Sequence, residues 1–275
     1  MRPRVSTRLR ALALLLASMS LSVITSCRRA PPAATSREDG LVVFAAASLR
    51  DVFTTMAHDF EGAHAGVKLT FDFAGTQELR AQLEHGVAAD VFAAADTTSM
   101  DALAKASRVV GPVVFARNEP VIVVARESAD TIRSIADLPS ASRLVLGVAD
   151  VPIGRYSLQI LDRAALTLGA DFRSRVEAKV VSRELNVRQV LTKVSLGEAQ
   201  AGIVYRTDAR AADGSVTVVA IPAAQNVVAS YPVAVVSGAP HPLLARAWVD
   251  FVLSPAGRQA LESAGFLAPA VSPTP

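Results

Sequence analysis

Residues 41–60 of the chain read LVVFAAASLRDVFTTMAHDF, and this stretch decides the fold class. Its first six residues form a short apolar run, which predicts a strand at residues 41–46. Apolar residues then recur at helical spacing, which predicts an amphipathic helix over residues 49–61. Small and hydroxylated residues separate the two elements.

The same alternation continues along the chain and predicts an α/β fold. Further strands are predicted at residues 67–73, 91–94, 113–116, 121–124, 144–148, 176–180, 202–204, 216–221 and 233–236. Further helices are predicted at residues 77–85, 100–106, 155–168, 187–196, 243–253 and 255–264. A core-facing stripe is predicted in the helix at residues 243–253, made of Leu243, Leu244, Ala247, Trp248, Phe251 and Val252.

Composition excludes several classes of protein. The chain has 275 residues, of which 51% are hydrophobic and 19% charged. It can therefore bury a sizeable core as one large domain or two lobes, and it is neither wholly disordered nor fibrous. A single Cys excludes a disulfide framework and thiolate metal clusters, and the four His share no metal-ligand spacing.

The excess of positive charge lies in the amino-terminal segment. The formal net charge is +3, but seven Arg and no acidic residue precede Glu38. The remainder carries 21 basic and 25 acidic residues, a net charge of −4. Nucleic-acid binding would need a basic face on the folded part, so we exclude a nucleic-acid partner.

Residues 1–26 have the features of an export signal. A basic start leads into an apolar run over residues 11–24, which is too short to span a membrane. The run ends in Ile24-Thr25-Ser26-Cys27, which resembles the bacterial lipobox. That resemblance implies cleavage before Cys27, lipidation of its thiol, and a flexible tether over residues 27–39. Plain cleavage nearby, with Cys27 incidental, is the alternative.

Four junctions between a strand and a helix share small, hydroxylated or amide residues, at residues 45–48, 73–76, 151–154 and 185–187. In α/β sheets ligands bind beyond the carboxyl ends of strands, where helix N-termini favour anions. Each junction also has an ordinary structural interpretation. Ser48 and Asp51 fit a capping box, Thr76 and Asn186 fit N-caps, and Gly154 fits a turn.

Five segments resemble a known family: FAAASL at residues 44–49, GVAADVF at 86–92, VPIGRY at 151–156, GIVY at 202–205 and YPVAVV at 231–236. In this order and spacing they resemble the periplasmic molybdate-binding proteins of ABC importers. The resemblance runs from about residue 41 to residue 267.

The resemblance implies a type II periplasmic-binding-protein fold, in which two α/β lobes joined by two crossovers close on a dehydrated oxyanion. Lobe 1 would comprise residues 40–116 and 230–267, and lobe 2 residues 117–229. The crossovers would lie near Asn118 and Ala229, and residues 268–275 would form a frayed tail. We expect a monomer that delivers its ligand to an ABC permease and touches the membrane only through its lipid.

The resemblance also implies the binding residues. The family's hydroxyl donors fall on Ser48, Thr76 and Tyr205, and its backbone donors on Ile153 and Val187. No cofactor is implied, and molybdenum enters only as the oxyanion. The chain departs from the family pattern in Gly75-Thr76-Gln77, where a serine run is common, and in Ile153, where Ala is usual. These departures bear on the pocket volume and leave the central atom of the oxyanion open. Molybdate and tungstate are nearly the same size, so the sequence does not distinguish between them.

Neutral donors suit a tetrahedral dianion, because each of its oxygens only accepts hydrogen bonds. Such a site also rejects protonated oxyanions, whose O–H group would meet no acceptor. Arg155, Arg183 and Arg188 fall near the predicted site, and we interpret them as rim or solvated charges.

Two rival functions stay open. The first is a receptor of the same kind for tungstate alone, sulfate, phosphate or a ferric complex, although a ferric site would call for paired Tyr with His or carboxylates. The second is a tethered extracytoplasmic enzyme. The sequence has no Gly-x-Ser-x-Gly elbow, no His-Glu-x-x-His and no Walker loop, so we expect no enzymatic activity.

Overall fold

The computed structural model of the chain describes residues 39–270. The predicted signal, Cys27, the tether up to residue 38 and the last five residues of the tail lie outside the described residues. The strands are β1 Asp39–Ala46, β2 Val67–Ala74, β3 Val91–Ala93, β4 Val109–Asn118, β5 Pro120–Ala125, β6 Leu144–Gly147, β7 Val180–Glu184, β8 Ala201–Tyr205, β9 Val216–Ala220 and β10 Ala229–Val236. The helices are α1 Arg50–Ala63, α2 Thr76–Glu84, α3 Thr97–Lys105, α4 Pro152–Leu168, α5 Phe172–Glu177, α6 Val187–Ser195, α7 Arg206–Ala211, α8 Pro242–Leu253 and α9 Pro255–Ala264.

The strands form two sheets of five with matching topology. The first sheet has the order β2-β1-β3-β10-β4 and the second the order β7-β6-β8-β5-β9. In each sheet three neighbouring strands are parallel, and one inserted strand runs antiparallel to its neighbours. The parallel strands alternate with helices, so their carboxyl ends meet helix N-termini at one edge of each sheet.

The chain passes from one sheet to the other twice, between β4 and β5 and between β9 and β10. We refer to the first sheet with α1–α3, α8 and α9 as lobe 1, and to the second sheet with α4–α7 as lobe 2. The two lobes belong to one compact unit. Because this unit is not divided further, the predicted residue limits of the lobes and of the tail stay predictions.

The core of lobe 1 is built on aromatic side chains. Trp248 of α8 is fully buried and meets Phe53 and Phe60 of α1 edge to face, at centroid distances of 5.5 and 5.3 Å. The predicted packing role of Trp248 is confirmed, but the start of the stripe is wrong. Leu243 is 87% exposed, because the buried face of α8 begins two residues later, at Ala245.

Three predictions of secondary structure are wrong. Residues 176–180 were predicted as a strand, but Val176 belongs to α5, whose Phe172 and Val176 are buried one turn apart, and β7 begins only at Val180. The short helix α7 was not predicted, since it has no apolar stripe. Strand β4 is longer than the predicted residues 113–116 and includes Pro112, which an edge strand tolerates.

Candidate ligand-binding site

A small cavity lies between the two lobes, at the carboxyl ends of their strands. The cavity is small, with room for about one water molecule. The lining residues are Ala46, Ala47, Ser48, Ala74, Gly75, Thr76, Ala95, Val151, Pro152, Ile153, Asn186, Val187 and Tyr205. None of them carries a charge. The structure brings together all five residues predicted to bind the ligand.

Ser48 lies in a single 3-10 turn, Ala47–Leu49, between β1 and α1. Its hydroxyl oxygen is 2.9 Å from the Tyr231 hydroxyl, and the side chain is buried. The predicted capping box with Asp51 is wrong. Helix α1 begins after Leu49 with no side-chain cap, because the extra 3-10 turn moves Ser48 away from the helix amides.

Thr76 is buried at the first position of α2, and its hydroxyl oxygen accepts a hydrogen bond from the Ala95 amide at 3.1 Å. The N-cap is Gly75, so the predicted capping role of Thr76 is wrong. A Cβ atom on Gly75 would lie 2.4 Å from the Leu185 carbonyl of lobe 2. The glycine therefore allows the two lobes to approach each other at the edge of the cavity.

Ile153 and Val187 occupy the first turns of α4 and α6. Amides at these positions precede the first hydrogen bonds within the helix and are free to bind a ligand. The predicted N-cap at Asn186 is confirmed, since its side chain accepts from the Gln189 amide at 3.1 Å. Gly154 lies inside α4 and not in a turn. A Cβ atom there would be 1.9 Å from the Val148 carbonyl, so only glycine lets α4 start this close to β6.

Tyr205 ends β8 with its side chain buried. Its hydroxyl has no hydrogen-bond partner among residues 39–270. Burial raises the pKa of Tyr205 well above 10, so the phenol keeps its proton and can donate. An unpaired buried hydroxyl costs stability, and its presence beside a cavity is typical of a binding group.

The three arginines predicted near the site are paired with carboxylates and do not line the cavity. Arg183 binds Glu177 at 2.8 Å within lobe 2. Arg155 of α4 pairs with the buried Asp96 of lobe 1. The third, Arg188, is described with its two partners below.

Arg188 of α6 contacts two carboxylates, each at 2.6 Å: Asp51 of lobe 1 and the buried Asp208 of lobe 2. Burial raises the pKa of Asp208 to about 6, against the opposing effect of the Arg188 charge. Gln77 adds a third contact between the lobes by donating to the Leu185 carbonyl at 2.8 Å. The lobes are thus held together around the cavity by polar contacts at its margin.

Sequence reasoning missed the groups that connect the lobes and the tyrosine behind Ser48. Asp51 was interpreted as part of a local cap, whereas it pairs with Arg188 of the other lobe. Asp96 caps α3 by accepting from the Ser99 amide at 2.6 Å and also pairs with Arg155 across the lobes. Tyr231 stood in one of the recognised segments, but nothing local indicated that its hydroxyl reaches Ser48. Among the residues the structure describes, no group of His, Cys, Asp and Glu could hold a metal ion. Over the same residues, no helix is both long and apolar enough to cross a bilayer.

Comparison with known proteins gives one family and several relatives. The model of the family described as bacterial extracellular solute-binding protein matches residues 41–267. The molybdate-binding protein ModA of Mycobacterium tuberculosis H37Rv is 40% identical over 262 residues, which cover 93% of this chain and 97% of the relative. The protein of the same name from Escherichia coli K12 is 31% identical, over 83% of this chain and 89% of the relative.

Solved structures agree on the fold. The periplasmic molybdate-binding protein of Azotobacter vinelandii has a TM-score of 0.73 at 17% identity, covering 83% of this chain and 99% of that one. The sulfate-binding protein SubI of M. tuberculosis has a TM-score of 0.76 at 19% identity, covering 84% of this chain and 88% of that one. These likenesses confirm the predicted two-lobe fold of type II binding proteins and do not distinguish between ligands.

Proposed function

The chain belongs to the family of bacterial extracellular solute-binding proteins, and from this premise we propose that it is the substrate-binding subunit of a molybdate ABC importer. It captures the dehydrated tetrahedral oxyanion and delivers it to the permease. The observation that carries the proposal is a cavity between the lobes lined only by uncharged residues, with donors from both lobes. The molybdate-binding relative at 40% identity supports this ligand.

The donors of the cavity suit a dianion without a countercharge. Ser48, Thr76 and Tyr205 supply hydroxyls, and Ile153 and Val187 supply amides at helix N-termini, where the helix dipole adds positive potential. Hydrogen bonds to a charged acceptor contribute about 1.5–3 kcal/mol each. Five of them total about 8–15 kcal/mol, and a Kd of 1 μM corresponds to about 8 kcal/mol. Submicromolar binding is therefore within reach of these groups.

Closure of the lobes explains how a water-free site can form around the ion. Donors from lobe 1 and lobe 2 face the same cavity, so the bound oxyanion joins the lobes as a common acceptor. The Arg155–Asp96 and Arg188–Asp51 pairs lie outside the cavity and add to closure without touching the ligand. The closed arrangement is what the permease would recognise. Tungstate has nearly the size and charge of molybdate and is expected to bind too.

Export and anchoring complete the proposal and rest on sequence alone. Residues 1–26 direct export, and Cys27 carries the lipid that holds the protein at the outer side of a membrane. The test is incorporation of labelled palmitate into the chain and its recovery with membranes. Cys27→Ala should abolish both, and a variant that stays labelled or membrane-bound would refute the anchor.

The decisive test of the ligand is titration calorimetry on the purified exported chain with molybdate, tungstate, sulfate and phosphate. We expect molybdate to bind at micromolar Kd or better and sulfate to give no heat. Ser48→Ala and Thr76→Ala should each weaken molybdate binding by about 1–3 kcal/mol, because each leaves one ligand oxygen short of a donor. A silent molybdate titration refutes the ligand. Binding of sulfate or phosphate in its place would favour a receptor for that ion, and turnover of a substrate would favour an enzyme.

A further inference from the structure

Two shallow grooves meet at the edge of the lobe 1 sheet opposite the cavity. The first runs beside the turn that follows α2 and includes Val87 and Arg108. The second runs beside the start of β4 and includes Val110 and Arg246. Residues 236–238, at the end of β10, line both grooves, so the grooves form one continuous surface. We call this surface, with the adjoining start of α8, the base of lobe 1.

The chain enters lobe 1 at this base. Val43 of β1 lies opposite Val91 of β3, which in turn lies opposite Val235 of β10. Because β10 runs antiparallel to β3, the turn after β10 lies at the edge of the sheet where β1 begins. The cavity lies at the other edge, where β1 ends at Ala46. Strand β1 has eight residues, so it extends about 25 Å between the two edges.

The base exposes three large apolar side chains around the two grooves. Val87, Val110 and Leu243 are 46, 61 and 87% exposed. The first two line the grooves, and Leu243 follows Pro242, which lines the second groove. Single exposed apolar residues are common on protein surfaces, but a contiguous apolar patch is typical of a surface that contacts a partner or a membrane.

The charged groups of the two grooves are basic. Arg108 lines the first groove and Arg246 the second, and no acidic residue in the range 39–270 lines either. The Arg108 side chain has no ion-pair partner in that range. Arg246 pairs with Asp250 at 3.2 Å, but both side chains are exposed, so the pair contributes little. Apolar side chains flanked by basic groups suit an anionic lipid surface, which attracts both.

The proposed lipid anchor brings a bilayer close to this base. Cys27 and Asp39, where β1 begins, are twelve positions apart. A chain of that length spans at most about 40 Å, which limits the distance between the bilayer and the start of β1. The base lies at that start, whereas the cavity lies at the far end of the strand. A bilayer is therefore the partner that the anchor holds nearest to the base.

We propose that the base of lobe 1 is a membrane-contacting face that binds the surface of an anionic lipid bilayer. The inference rests on the lipid anchor of the proposed function and adds an orientation to it. Val87, Val110 and Leu243 enter the headgroup region, and Arg108 and Arg246 bind lipid phosphates. The contact leaves the cavity, at the opposite edge of the sheet, open to solution for ligand capture.

The test places a fluorescent label on the lipidated chain in vesicles of phosphatidylcholine and phosphatidylglycerol that carry a nitroxide quencher at headgroup depth. Cys27 is the only cysteine and carries the lipid, so a cysteine introduced elsewhere is labelled selectively. Leu243→Cys reports on the base, and Leu166→Cys, at an 85% exposed position of α4 in lobe 2, is the matched control. We expect quenching about fivefold stronger at the base, because only that label reaches the headgroups.

A charge reversal tests the contribution of the basic groups. Arg108→Glu, made in the chain labelled at Leu243→Cys, should lower the quenching about threefold, since each basic group near an anionic surface adds to the attraction. Arg133→Glu changes the net charge equally at an exposed position of lobe 2 and should leave the quenching unchanged. Vesicles of phosphatidylcholine alone should lower the quenching as Arg108→Glu does.

Each outcome supports or overturns the proposal. Equal quenching of the two labels would show that no face is preferred, and equal effects of Arg108→Glu and Arg133→Glu would show that the base does not bind lipid phosphates. A blue shift at Leu243→Cys without quenching would show that a second copy of the chain covers the base. Any of these results overturns the inference.

Failure of the proposed function is seen separately. A chain without its lipid is lost from the vesicles before any label is measured, and the inference then fails with its premise. Molybdate calorimetry on the same labelled chains tests the ligand, so a loss of oxyanion binding is distinguished from a loss of membrane contact.

Discussion

Replacing Tyr205 with Phe should raise the stability of the ligand-free chain and at the same time weaken oxyanion binding. The Tyr205 hydroxyl is buried and unpaired among the described residues, so on folding it loses the water that hydrates it in the unfolded chain. An unsatisfied buried polar group costs about 1–3 kcal/mol. Tyr205→Phe removes that cost while keeping the ring, which packs against Tyr231 at a centroid distance of 5.7 Å.

The loss of affinity follows from the same hydroxyl. A hydrogen bond to a charged acceptor contributes about 1.5–3 kcal/mol, which corresponds to a Kd about 10 to 150 times higher. Binding is measured by calorimetry, and stability by thermal melting without ligand. We expect the affinity to fall and the thermal midpoint to rise, because a hydroxyl left unpaired for the ligand destabilises the folded chain when no ligand is bound.

Tyr156→Phe serves as the control for this experiment. The Tyr156 ring is a neighbour of Tyr205, but its hydroxyl accepts from the Ser230 backbone and does not line the cavity. We expect that change to lower the thermal midpoint and to leave the Kd unaltered. If Tyr205→Phe lowers the midpoint and leaves the Kd alone, the hydroxyl is paired in the folded chain and the argument for its role is refuted.

Three further predictions concern the contacts around the cavity. Gly75→Ala should weaken oxyanion binding more than tenfold and increase the radius of gyration measured by X-ray scattering with ligand, because the new Cβ would meet the Leu185 carbonyl. Gly62→Ala, which has open space around it, should change neither the affinity nor the radius of gyration. Asp51→Asn should raise the Kd less than fivefold, since an exposed ion pair contributes about 0.2–1 kcal/mol, and a larger loss would show that closure depends on this pair. The pKa of Asp208 is raised from 3.8 to about 6, so the folded chain binds the carboxyl proton more tightly than the unfolded chain does. The contribution of Asp208 to stability therefore falls as the pH rises from 4 to 6. The thermal midpoint of Asp208→Asn relative to the parent should therefore rise between pH 4 and pH 7, and a constant difference would contradict the raised pKa.

The sequence was most informative where structure depends on neighbouring residues. Strand β1 and helix α1 lie close to their predicted positions, because an apolar run and helical spacing are local properties. The N-cap at Asn186 was predicted for the same reason. Prediction failed at α5, where Phe172 and Val176 are buried by packing against α4, and at Leu243, whose exposure depends on where α8 meets the sheet.

The binding site was also predicted only in part. Residue types at strand ends and the resemblance to a family predicted that five donors would lie around one cavity. The capping box at Ser48 was wrong because the competing partner, Tyr231, lies 183 residues away in the chain. No local pattern at Ser48 or Asp51 carries information about a strand that follows two crossovers later.

The amino-acid sequence by itself determined the order of the strands and of most helices, the position of polar residues at their junctions and the concentration of positive charge before residue 38. Only the tertiary structure decided which group each hydroxyl faces, which arginine joins which carboxylate across the lobes, and how closely Gly75 approaches Leu185. The physical reason is the distance along the sequence over which each property is determined. Backbone conformation responds to residues a few positions away, whereas hydrogen-bond direction and burial depend on segments brought together by packing of the whole chain.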